Sequence, residues 1–100
     1  MVDKYSVEID SDLEDIVPLF LEKRTEELVQ LQNLLELDEW EGIRKIAHKI
    51  KGNCGSYGFK EMGLIGEKLE ISASQKLKDE VMDLISELED RLNHTTIKYV

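Results

Sequence analysis

Ala47-His48-Lys49-Ile50-Lys51-Gly52-Asn53-Cys54-Gly55-Ser56-Tyr57-Gly58 is the stretch on which the reading of this chain turns. It lies inside a window, Gly42 to Lys60, of 19 residues without one carboxylate, although the rest of the chain carries 22. On a helix at about 100° per residue, Ile43, Ile46, Ala47, Ile50, Cys54 and Tyr57 gather on one side. With that stripe centred on Ile43 and Ile50, His48 points roughly 140° from the core, Gly52 about 180° and Gly55 about 120°. Lys51 and Arg44 flank the stripe at about 80° and about 100°. The spacing predicts an amphipathic helix that buries its isoleucine face and leaves His48 in solvent on a bare, basic face.

Working outward, Asp38 and Glu41 have the D-x-x-E form of a capping box, so this helix should begin near Glu39. Gly58 should end it, since glycine readily takes the left-handed conformation that follows helices. Before it, Leu13, Ile16, Val17, Phe20, Leu28, Leu31 and Leu35 fall at helical spacing, with Ser11 or Asp12 able to cap. Pro18 either kinks one helix or opens a second, and the reading adopted is a short N-terminal helix leading into a long one that ends near Leu37. After Gly58, Met62, Ile65, Leu69 and Ala73 line a further helix from about Lys60. Ser72 to Gln75 is polar enough for a turn, with Ser74 a possible cap. Leu77, Val81, Leu84, Leu88 and Leu92 then form a near-heptad stripe.

Amphipathic helices joined by short turns can bury their stripes only against one another. The expectation is an all-α, antiparallel four-helix bundle with a short additional N-terminal helix. One domain spans residues 1–100, with the bundle at about 12–93 and irregular N- and C-terminal ends. Strand formers are sparse and there is no run of alternating apolar residues, so a sheet is not expected, and residues 1–10, which alternate weakly, are read as an extended lead-in.

The bulk composition narrows function. A net charge of −9 argues against nucleic acid, and the basic window holds only Arg44, Lys45, Lys49, Lys51 and Lys60. The single cysteine, Cys54, rules out an internal disulfide and falls on the buried face, where it acts as a small hydrophobe. His48, Cys54 and His94 lack metal-ligand spacing, so no metal is expected, and no cofactor motif is present. No apolar run nears the ~20 residues of a membrane span, and Met-Val-Asp-Lys-Tyr lacks the features of a signal peptide. A cytoplasmic monomer is the expectation.

An exposed imidazole near neutral pH is a nucleophile with one free ring nitrogen. Lys51, one turn on, can swing its ammonium towards an anionic group on that ring. Gly52, at i+4, would otherwise carry the side chain standing over the imidazole. Glycine inside a helix costs ~1 kcal/mol relative to alanine, so Gly52 and Gly55 on an exposed face ask for a reason, and steric clearance supplies one. Arg44, Lys45 and Lys49, with no acidic neighbour in the window, are read as docking charges for an acidic partner.

These residues carry a resemblance. His48-Lys49-Ile50-Lys51-Gly52 with Gly55 and Gly58 resembles the H-x-x-K-G signature of histidine-containing phosphotransfer (HPt) domains, in which a glycine follows six residues later. Glu39-Trp40-Glu41, the Gly55–Phe59 turn and the Glu67–Glu70 region are similar to that family as well. The resemblance implies a phosphorelay intermediate in two-component signal transduction. His48 would accept a phosphoryl group, on Nε2, from a receiver-domain aspartate and pass it to another receiver. Lys51 would meet the phosphoryl oxygens, Gly52 and Gly55 would give clearance and Gly58 would shape the helix end. The partners implied are response-regulator receiver domains and a hybrid sensor histidine kinase. Metal and catalytic apparatus would belong to the receiver, so the chain would be a phosphocarrier and not an enzyme. Two alternatives stand beside this: the phosphoryl-accepting domain of a chemotaxis-type histidine kinase, and a helical adaptor that is never phosphorylated.

Overall fold

The computed structural model describes residues 4–100. Four helices carry the architecture: α1 (Val17–Glu36), α2 (Trp40–Tyr57), α3 (Lys60–Ser74) and α4 (Lys78–His94). Each link between them is two or three residues long, so successive helices run antiparallel. α1 also packs on α4, which closes the ring of four. The stripes read from the sequence meet at the centre, where Leu31, Ile43, Ala47, Ile50, Cys54, Leu69, Val81 and Leu88 are fully buried. Among the described residues no helix is long and apolar enough to cross a membrane.

Three expectations need correction. The short N-terminal helix does not form: Ser11–Leu13 is a single 3-10 turn, capped by the Asp10 side chain, which accepts from the Asp12 amide at 2.9 Å. Pro18 occupies the first turn of α1. A helix running continuously through it would drive its ring into the carbonyl of Glu14, so residues 14–16 turn instead.

The ends are not irregular. β1 (Tyr5–Ile9) pairs in parallel with β2 (Thr95–Tyr99), with Tyr5 opposite Thr95 and Ile9 opposite Tyr99. Tyr5, Val7 and Ile9 turn towards the bundle, as do Thr95, Ile97 and Tyr99, and Ile9 is completely buried. Each strand is too short to show its alternation clearly, and its partner lies at the other end of the chain. The pair is pinned from α4: the Tyr5 hydroxyl and Lys4 Nζ donate to Asp90 at 2.5 and 2.9 Å, and the Arg91 guanidinium stacks on the Tyr5 ring.

The caps also differ from expectation. Asp38 sits in the left-handed region at φ 53°, and Glu39 precedes α2 with no side-chain cap, so the D-x-x-E box is not made. Asp38 instead accepts from Lys78 across the bundle at 2.7 Å. α3 continues through Ser74, and Ser72 is buried, donating to Glu80. Gly58 does end α2, at φ 92°, with the following Phe59 amide returning to the Cys54 carbonyl at 2.9 Å.

Candidate functional site

α2 and α3 make the most extensive helix contact in the chain, and glycines are the reason. A Cβ on Gly66 would stand 2.7 Å from the Lys51 amide nitrogen and 3.0 Å from the Ala47 carbonyl oxygen. One on Gly63 would stand 3.4 Å from the Gly55 nitrogen. The α3 backbone therefore lies directly against the α2 backbone. Gly63, Gly66 and Glu70 are spaced three and four residues apart, so they share one helix face. That face carries Glu70 to the flank of His48.

The contact is direct. His48 Nδ1 lies 3.0 Å from Glu70 Oε2. The histidine side chain is 68% exposed and the glutamate only 21%, so the acid is held from below while the ring stands in solvent. With Nδ1–H donating to the carboxylate, which can only accept, the lone pair of the neutral ring resides on Nε2.

The remaining residues of the bare face fall where the helical geometry put them. Lys51 is exposed one turn beyond His48, Lys49 is exposed beside it, and Lys45 is exposed with its charge acting on Glu41. Nothing lies within 4 Å of a Cβ built on Gly52 or Gly55, so no packing demand within the described residues explains either glycine. Cys54 is buried, and burial pushes its thiol up to about 12, which leaves it inert as a nucleophile near neutral pH.

Arg44 departs from expectation. Read as a charge without acidic neighbours, it is forked onto Glu41 through Nε at 2.9 Å and Nη2 at 2.5 Å. Its Nη1 lies 3.8 Å from Glu70 Oε2. The hydrogen bond from Arg44, and then its charge, hold the Glu41 carboxyl below the usual range, and Glu41 raises Arg44 in return. The site is thus an open face and not a pocket: His48 lies outside the cleft of about 560 Å3 between the strand pair and the start of α3.

Glu70, Gly63 and Gly66 are the residues that spacing arguments on the His48 helix alone passed over. Their signal was present on α3, as two glycines and an acid on one face of a segment otherwise suited to helix. Compared with known families, residues 15–96 match the model described as Hpt domain. No curated protein and no solved structure matches the chain.

Proposed function

Since the chain belongs to the Hpt domain family, the phosphocarriers of two-component signalling that work with receiver domains and kinases, we propose that His48 is its phosphorylated residue. The observation that carries the reading is the imidazole itself: exposed on a rigid helix, Nδ1 engaged by Glu70, Nε2 free.

In this reading Nε2 attacks the phosphorus of a receiver's aspartyl phosphate. The Nε2–P bond forms, the P–O bond to the aspartate breaks, and its electron pair returns to the aspartate as carboxylate. No proton leaves the ring, which keeps Nδ1–H and becomes cationic, and the Glu70 carboxylate opposes that charge. Transfer to the next receiver runs the same steps in reverse. Such reactions depend on positioning and charge neutralisation, which a side chain fixed on a helix can offer without further apparatus. Lys51 reaches the phosphoryl oxygens, Gly52 and Gly55 let the partner surface approach, and Gly58 ends the helix that presents them. Lys45 and Lys49 supply docking charge. The acid–base groups and divalent metal are the receiver's. The donor is the receiver of a hybrid sensor kinase, and the chain serves as a monomeric carrier in the cytoplasm.

The test is to charge a receiver with a small-molecule phosphodonor, incubate it with this protein and map the label. An acid-labile, base-stable label at His48 is expected, and it should vanish in His48→Gln. Label retained by that variant refutes the assignment.

A further inference from the structure

We propose that Arg44 is a positioning residue for the phosphoryl-accepting histidine, acting through Glu70, and not a docking charge. Three contacts converge on this. The guanidinium is locked in plane by two bonds to the Glu41 carboxylate, through Nε and Nη2. That fork leaves Nη1 on the far side, and it faces Glu70 Oε2 at 3.8 Å, within ion-pair range. The same oxygen, Oε2, is the one that His48 Nδ1 meets at 3.0 Å. A single carboxylate oxygen is therefore held between the ring it orients and a cation one turn earlier on the ring's own helix.

The arrangement has a directional logic. Arg44 and His48 are four residues apart on α2, so they stand on the same face, and Glu70 enters between them from α3. A glutamate has three side-chain torsions, and one imidazole bond leaves the carboxylate free to swing about it. A second, cationic neighbour on the same oxygen removes that freedom. Glu41 completes the chain by holding the guanidinium's plane, and a fork of this kind is the geometry at which arginine exceeds lysine. The Glu41–Arg44 pair is exposed and adds little to stability by itself, so orientation of Glu70 gives it a purpose.

The consequence is on the ring. With Glu70 held, His48 stays in the tautomer protonated at Nδ1 and keeps its lone pair on Nε2. With Glu70 loosened, the two tautomers mix and the nucleophilic nitrogen is correct for only part of the time. The kinetic half of this inference rests on the phosphotransfer role of His48, whereas the tautomer half concerns only the unphosphorylated protein.

The experiment is a double-mutant cycle on the full chain: wild type, Arg44→Gln, Glu70→Ala and the pair. Each is read by long-range 1H–15N spectra of the imidazole and by the rate of transfer from a charged receiver. Arg44→Gln should mix the His48 tautomers and slow transfer about fivefold, a coupling typical of residues in contact. In the Glu70→Ala background the same substitution should change neither readout. An equal further loss of rate in that background marks a docking charge and overturns the proposal, as does a tautomer ratio unmoved by Arg44→Gln. If the wild type takes no label, the phosphotransfer reading falls, and the tautomer spectra still decide the role of Arg44.

Discussion

Adding one methyl group at Gly52 should make this protein more stable and worse at its work. Gly52 lies inside α2, four residues after His48, and a Cβ there meets nothing within 4 Å. Alanine is favoured over glycine in an exposed helix interior by ~1 kcal/mol, and no contact offsets that gain. For a domain of this size, 1 kcal/mol corresponds to about 4–8 °C in Tm. The same methyl would project from the bare face one turn beyond the imidazole, into the open space that the proposed transfer leaves for a receiver's aspartyl phosphate. Reacting atoms need to approach to about 3–3.5 Å, and a displacement of about 1 Å can cost ~100-fold in rate. Gly52→Ala should therefore melt several degrees higher while transfer to His48 slows by roughly tenfold to a hundredfold, with Gly52→Gln slower still. Thermal unfolding followed by circular dichroism and single-turnover transfer from a charged receiver measure the two effects. The clearance argument is wrong if the variant transfers at the wild-type rate, and the open-space argument is wrong if it melts no higher.

The opposite sign is expected at Gly66, where the added Cβ would sit 2.7 Å from the Lys51 amide nitrogen and the obstacle is backbone. Gly66→Ala should force α3 off α2 and cost ~1–3 kcal/mol in urea unfolding, while imidazole spectra show Glu70 released from His48; unchanged stability would refute the close packing. A pH dependence is expected at the strand pair. The bond from the Tyr5 hydroxyl, and next that from Lys4, hold the Asp90 carboxyl below the usual range. The tether is thus present above the unfolded carboxylate value and is lost as pH falls through the folded one. Amide exchange in β1 should accelerate below about pH 4, and at neutral pH in Asp90→Ala, before the helices open. Protection of β1 that survives both would show that Asp90 does not hold it.

Much of the bundle was legible because helical periodicity is a local property. The stripe through Ile43, Ala47, Ile50 and Cys54, the exposure of His48 and the stop at Gly58 follow from spacing along one segment, and each stands as read. The failures share a cause. Tyr5–Ile9 and Thr95–Tyr99 become strands only in each other's presence, and Asp38 gives up its capping box for a left-handed turn and a bond to Lys78. Arg24, one helix turn after Phe20, is buried, paired with Glu27 and lying over the Phe20 ring, a core position that a hydrophobic pattern has no way to flag.

The window from Gly42 to Lys60 marks the boundary most clearly. By itself the sequence determined that His48 stands bare on an acid-free stretch of helix with a lysine one turn on and no side chain at Gly52, because all of these are read from spacing along one helix. It did not determine that an acid would be there after all. Glu70 reaches His48 from 22 residues away because Gly63 and Gly66 let two backbones touch. Arg44 then faces the same oxygen. Which ring nitrogen is free, and what holds it so, is a property of the contact between two helices, and that contact exists only once the chain has folded.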